Sequence, residues 1–138
     1  MAQQGVLVPR SLVQSTNMAK DDNFVASLAG QAGKVHVITG GNSGIGLEAA
    51  VQIAKKQATV VLACRNKAKA EVARAEVVET QERAGCEDGM VKVANLDLSS
   101  LESVKAFVGE YREVMGGDVP MDVLVLNAGV MALPKREL

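Results

Sequence analysis

The stretch TGGNSGIG, Thr39 to Gly46, constrains the fold more than any other part of this 138-residue chain. It lies between an alternating β-branched run, KVHVIT (34–39), and a helix-like run, GIGLEAAVQIAKKQ (44–57). A strand that ends in a glycine-rich turn and re-enters as a helix leaves the helix N-terminus bare. The N–H groups of that first turn lack partners and carry a partial positive charge. A phosphate satisfies both. Glycine is favoured along the approach because a side chain would hold the phosphate away. Gly46, Ala50 and Ala54 recur at helical spacing, so this helix can lie close to a sheet. Alone, the pattern also suits a flexible turn into a helix, and the rest of the chain must decide.

Downstream, apolar runs and helical patterns alternate. TVVLAC (59–64) is a short apolar run and reads as a buried strand. NKAKAEVARAEVVETQERAG (66–85) reads as a helix stopped by Gly85, and MVKVANLDL (90–98) as a third strand. SSLESVKAFVGEYREVMGG (99–117) predicts a helix capped by Ser99 or Ser100 and ended by Gly116 and Gly117. Leu101, Val104, Val108, Tyr111 and Met115 recur at three and four residues and predict its packed stripe. MDVLVLNAG (121–129) is nearly all apolar, which predicts a fourth strand covered on both faces. The order β-α-β-α-β-α-β predicts an α/β fold with a parallel sheet and right-handed crossovers. A Rossmann-type, doubly wound half-sheet would run 3-2-1-4, with ligands in the crevice outside strands one and four.

Composition narrows the function classes. One domain fits this length. The chain is 48 % hydrophobic, enough for a core, and its net charge of −1 gives no basic field for nucleic acid. Phe24, Phe107 and Tyr111 are the only aromatics, which argues against base-stacking or sugar-stacking surfaces. No apolar run spans a bilayer. Cys64 and Cys86 lack metal-site spacing and fit a reduced compartment. Residues 1–32 read as a partly disordered leader with a short helix in DNFVASLAG, and residues 33–138 as the domain. The leader carries Arg10 and Lys20 and no acid within its first twenty residues, which permits cytoplasm or an organelle but not secretion.

Three more features fall where the strands end. Arg65 directly follows the second strand, with Lys67 and Lys69 nearby and no acid before Glu71. In a nicotinamide-binding fold an acid there holds the 2′-hydroxyl of NAD, whereas Arg accommodates the 2′-phosphate of NADP. Read plainly, the same residues are a solvated basic helix start. Asp97, in NLDL, can accept the exocyclic amine of adenine or serve equally as a first-turn residue of the next helix. Asn127, Ala128 and Gly129 close the fourth strand, as a ligand border or an ordinary turn.

Together these residues resemble the short-chain dehydrogenase/reductase family over roughly residues 33–138. TGGNSGIG matches its Thr-Gly-x-x-x-Gly-x-Gly cofactor motif at every defined position. NLDL matches its Asp-Leu element and LNAGV its Asn-Ala-Gly element, with Leu126 where many members have a second Asn. Ser43 excludes the extended form of the motif, which needs glycine there. ACRNKAK and MALPKREL are similar to the branch of retinol dehydrogenases and light-dependent protochlorophyllide reductases, mostly NADP-dependent. The resemblance implies NADP as cofactor. It puts Thr39, Gly40, Asn42, Ser43, Gly44, Ile45 and Gly46 around the pyrophosphate, and Arg65 and Lys69 on the 2′-phosphate. It puts Asp97 and Leu98 at adenine, and Asn127, Ala128 and Gly129 beside the nicotinamide ribose.

The family's chemistry uses a Tyr-x-x-x-Lys pair, the Lys lowering the Tyr pKa so that the phenol exchanges a proton near neutral pH. The single tyrosine here, Tyr111, is followed four residues on by Met115 and lies on a helix before the fourth strand, so a core role is expected for it. The sequence therefore predicts the NADP(H)-binding portion of a short-chain oxidoreductase for a carbonyl or alcohol substrate, truncated after the fourth strand, with no catalytic residue and no activity of its own. The alternative is a non-catalytic nucleotide-binding or protein-interaction half-domain. In either case strand four is expected to be an open edge in need of a partner chain.

Overall fold

Parallel pairing sets the architecture. The computed structural model describes residues 29–86 and 90–129. Its elements are β1 (Val35–Thr39), α1 (Gly44–Ala54), β2 (Thr59–Cys64), α2 (Lys67–Arg83), β3 (Val91–Asn95), α3 (Leu101–Met115) and β4 (Val123–Val125). The four strands form one sheet in the order β3-β2-β1-β4, every pair parallel. This is the Rossmann-type half-sheet that the sequence predicts. The expected leader, its helix and the MALPKREL segment fall in or almost wholly in residues outside the described range.

The pleat divides the core in two. Ile38, Val60, Leu62 and Cys64 point to one face, where α1 and α2 cover them through Ala50, Val51, Ala54, Ala70, Ala73 and Val77. Val35, Val37, Val61 and Ala63 point to the other, where α3 lies with Tyr111 and the half-buried Phe107, Val114 and Met115. Ile38 and Leu62 are fully buried, each worth about 1.5–3 kcal/mol of transfer free energy. Gly46, Ala50 and Ala54 all turn inward on α1. Small side chains at these positions let α1 approach the sheet closely.

Each helix end has a local cause. Ser100 caps α3, its side chain accepting from the Ser103 N–H, and Gly116 ends that helix at φ 78°. Asn66 caps α2 by accepting from the Lys69 N–H. Helix α1 stops at Ala54, three residues short of the expected end. Its last carbonyls bond across space: Ala54 O accepts from Gln81 Nε2 at 3.2 Å and Lys55 O from Cys86 Sγ at 3.1 Å. Those partners lie 27 and 31 residues away in sequence, while locally Lys56 N–H and Gln57 N–H turn back to Ile53 O and Ala54 O and Gln57 takes φ 68°.

Two expectations about packing need correction. The predicted stripe on α3 is rotated. Tyr111 is buried and Met115 half-buried, but Leu101, Val104 and Val108 are exposed. The packed face is Phe107, Tyr111, Val114 and Met115, because α3 lies over β3 and leaves its other apolar flank uncovered. Nor is β4 covered on both faces: Val123 and Leu124 are exposed, and Leu126 is 79 % exposed. Leu124 shares the register position of Val37 and so points to the α3 side of the sheet, beyond the reach of α3. Among the described residues β4 also has no neighbour beyond β1, so the expected open edge is present.

Candidate functional site

Because every strand is parallel, all four C-terminal ends share one rim. Onto it fall the loop 40–43, Arg65 with Asn66, the turn 96–100 and Asn127–Gly129. The crossover direction changes between β1 and β4. Helix α1 leaves β1 for one face, and α3 delivers β4 from the other. That junction is the crevice where open α/β sheets bind ligands.

At the junction the loop and the last turn are tied together. Thr39 Oγ accepts from the backbone N–H groups of Asn127 and Ala128, each at 3.0 Å, and donates to Val125 O at 3.3 Å. The Asn127 amide donates to Thr39 O at 3.1 Å and Gly40 O at 3.3 Å. Thr39 is buried, so its hydroxyl works inward on the strand ends. Two glycines make this closeness possible. A Cβ on Gly40 would come 3.0 Å from Ala128 Cα, and one on Gly46 would come 2.7 Å from Gly40 O and overlap Asn127 Nδ2. Gly44 has φ +55° and open space around it, so there glycine serves the backbone conformation.

The outer side of the loop is a cradle. The first backbone bond of α1 runs from Leu47 N–H to Ser43 O, so the amides of Gly44, Ile45 and Gly46 precede the ladder. Ser43 occupies the N-cap position, yet its side chain makes no capping bond. Ile45 stands 83 % exposed beside these amides. A shallow groove of ≈ 290 Å³ opens between α1 and α2, lined by Asn42, Ser43, Leu47, Lys69, Val72, Ala73 and Glu76. Lys69 thus shares a groove with the loop although a helix, a strand and a turn separate them in sequence. Below the loop, Cys64 is buried. Burial pushes its thiol pKa up, and the nearby Gly41 and Asn42 amides oppose that only in part.

The third part of the rim follows β3. Asp97 Oδ1 accepts from Ser99 twice, from Oγ at 2.6 Å and from N–H at 3.0 Å. These bonds, with the positive field of Arg65 behind them and slight burial against them, hold the Asp97 carboxyl below the usual carboxylate range. The Asp97 backbone N–H donates to Ser103 Oγ at 2.8 Å. Leu98 is 54 % exposed beside it. Asn95 Nδ2 reaches Arg65 O at 3.5 Å, linking the end of β3 to the end of β2. Ser99, Ser103 and Asn95 join the rim without a motif of their own. The bonds of Ser99 and Ser103 to Asp97 within one turn, and that of Asn95 to Arg65 O between two strand ends, bring them there.

The residues that the sequence singles out therefore form three groups on one rim. Thr39, Gly40, Gly46, Asn127 and Ala128 interlock at the β1/β4 crevice, with Gly129 exposed at its mouth. Asn42, Ser43 and Lys69 share the groove by α1, with Gly44 and Ile45 at the helix start. Arg65, Asp97 and Leu98 lie beyond, at the ends of β2 and β3.

A glycine-rich loop, a bare helix N-terminus and a β1/β4 switch point are shared by many nucleotide-binding folds. The family model for short chain dehydrogenase matches residues 34–138. The chain belongs to the short-chain dehydrogenase family. Within the family it is related to the retinol dehydrogenases. It is 36 % identical over 134 residues to retinol dehydrogenase 13 of Mus musculus, covering 94 % of this chain and 37 % of that protein. It is 43 % identical over 102 residues to the WW domain-containing oxidoreductase of Homo sapiens, covering 74 % of this chain and 23 % of that protein. Among solved structures it resembles the L-sorbose reductase of Gluconobacter frateurii, complexed with NADPH and L-sorbose. The identity is 37 %, the TM-score 0.60, and the match covers 75 % of this chain and 36 % of that one. The chain thus spans between 23 % and 37 % of the length of these family members. The chain therefore carries the cofactor-binding region of an oxidoreductase family.

Proposed function

We propose that this chain is the NADP(H)-binding portion of a short-chain oxidoreductase that acts on a carbonyl or alcohol substrate. The observation that carries the reading is the groove in which Lys69 meets Asn42 and Ser43 beside the bare start of α1. The phosphates of a dinucleotide there meet unpaired amides, a helix dipole and an ammonium group. The glycines fit the group as well: Gly40 and Gly46 keep the floor thin, and Gly44 leaves the approach open. When bound, the nicotinamide supplies hydride chemistry. The residues of this chain hold and orient. Gly44, Ile45 and Gly46 face the pyrophosphate. Asn42 and Ser43 join them there, Arg65 and Lys69 take the 2′-phosphate, and Asp97 and Leu98 border the adenine. Asn127, Ala128 and Gly129 border the nicotinamide ribose, and Thr39 braces the crevice from within. The domain comprises residues 33–138, preceded by a leader.

A second reading, a non-catalytic nucleotide-binding module, rests on Tyr111. This only tyrosine of the chain is buried in the core, its hydroxyl donating to Val119 O at 3.0 Å. Both readings share the cofactor and differ on turnover, and these 138 residues alone are expected to transfer no hydride. The test is equilibrium titration with NADPH and NADH. NADPH binds tighter by about tenfold or more, since the 2′-phosphate gains charge-assisted bonds. Lys69→Ala and Arg65→Ala each erode that preference. Equal affinity for the two cofactors overturns the assignment of Arg65 and Lys69.

A further inference from the structure

The turn after β3 holds a carboxylate whose two oxygens differ. Asp97 Oδ1 takes both hydrogen bonds from Ser99, hydroxyl and backbone N–H. Among the described residues no donor engages Oδ2. The backbone of Asp97 is pinned as well, through its N–H to Ser103 Oγ, while Ser103 N–H in turn donates to Ser100 Oγ. Carboxylate and main chain are thus both anchored at the N-terminal end of α3, on the rim beside Arg65 and Leu98. An unanchored Asp would rotate about χ1 and χ2 and present either oxygen, or neither, to a ligand. Here two short bonds to one oxygen select the rotamer and leave the other oxygen as a single directed acceptor.

We infer that Ser99 is a positioning residue for base selection: by occupying Oδ1 of Asp97 it aims Oδ2 at the exocyclic amine of the cofactor's adenine. The inference rests on the cofactor reading above and adds the means of telling one purine from another. Adenine offers an amine at its 6-position, which donates to a carboxylate oxygen. Hypoxanthine offers a carbonyl there, which faces a fixed carboxylate lone pair to lone pair. A site with a directed acceptor rejects the second base, because two acceptors are left facing each other without a proton. A freely rotating Asp97 turns away from the carbonyl and loses much of that discrimination. Removing Ser99 is therefore expected to change a ratio of affinities more than any single affinity.

The experiment is calorimetric titration of the chain with NADPH and with its hypoxanthine analogue, reduced nicotinamide hypoxanthine dinucleotide phosphate. The unmodified chain binds NADPH about tenfold tighter than the analogue, the worth of one hydrogen bond to a charged group. In Ser99→Ala that ratio falls to about threefold or less as the directed acceptor is lost. Ser99→Thr, which keeps both donors, restores it. Thermal unfolding of each variant checks folding, and because the readout is a ratio within one variant, a modest loss of stability leaves it interpretable. A Ser99→Ala ratio equal to that of the unmodified chain overturns the role of Ser99 and leaves the cofactor reading standing. Equal binding of both bases by the unmodified chain overturns the inference with the Asp97 assignment beneath it. Binding of neither molecule overturns the cofactor reading as well.

Discussion

A methyl group on Gly46 would overlap the side-chain amide of Asn127, the group that donates to Thr39 O and Gly40 O. The start of α1 and the end of β4 therefore fit only while position 46 has no side chain. Gly→Ala inside a helix normally stabilises by about 1 kcal/mol. Here the added carbon also meets Gly40 O at 2.7 Å, a backbone atom that cannot swing aside. Gly46→Ala is expected to destabilise by about 1–3 kcal/mol, the cost of overpacking. Urea unfolding checks the sign, and a neutral or stabilising result would show that the crevice is looser than this contact implies.

Thr39 ties the same crevice from the other side. Its hydroxyl serves two amides and one carbonyl, all from residues 125–128. Thr39→Val keeps the shape and removes all three bonds. The orphaned groups make a loss of about 2–4 kcal/mol the expected result. Thr39→Ser retains most of the stability. If valine and serine behaved alike in a denaturant series, the hydroxyl would have no such role.

His36 makes the fold sensitive to mild acid. It is buried on β1, its Nε2 lies 3.2 Å from Gln31 Oε1, and its Nδ1 has no partner. Burial lowers its pKa below the ordinary 6.5, Asp122 opposes that, and Lys34 adds to it. The unfolded chain then binds more protons than the folded one once the pH falls through 6.5. Stability thus rises with pH across that window and declines as pH drops below it. The urea midpoint should fall between about pH 7.5 and about pH 5.5, the range in which an ordinary histidine titrates. His36→Gln should flatten that slope. An unchanged slope in the variant would assign the effect elsewhere.

Tyr111 belongs to packing. Burial, and secondarily the charge of Asp122, raise its pKa above the ordinary phenol value, the opposite of what a proton-exchanging tyrosine needs. Tyr111→Phe removes the bond to Val119 O and should lower stability by about 1 kcal/mol. NADPH affinity should stay unchanged. A large loss of affinity with intact folding would place Tyr111 at the cofactor.

The uncovered flank carries the fifth expectation. Leu126 is 79 % exposed on the rim of β4, near the exposed Leu124. Leu126→Lys should shift unfolding by less than about 0.5 kcal/mol, as surface changes do. It should also reduce concentration-dependent light scattering, because apolar patches and bare strand edges promote association. A large stability loss would mean that something covers Leu126 in solution.

Much of the architecture is written locally. The run TVVLAC coincides with β2 over Thr59–Cys64, and GIGLEAAVQIAKKQ contains α1 and overruns its end by three residues, because period and β-branching act on neighbours along the chain. Ser100 caps α3 and Gly116 stops it for reasons contained within one turn. The motif glycines, Arg65, Asp97 and Asn127 were legible too, since each stands just after a readable strand.

What was not legible depends on partners distant in sequence. An apolar stripe shows that a face is sticky, but not which neighbour covers it. Thus Leu101, Val104 and Val108 share a helix with Tyr111 and remain exposed. The inward bonds of the Thr39 hydroxyl to Asn127 and Ala128, 88 and 89 residues on, have no local signal. Lys69 joined Asn42 and Ser43 only when α2 packed beside α1. The sequence by itself determined the elements, their order and the rim that carries the cofactor motif, because those follow from local sterics and periodicity. Only the tertiary structure decided which polar groups face inward to brace that rim and which remain free for a ligand. A hydrogen bond is chosen by proximity in space, and the chain brings its partners together only once it has folded.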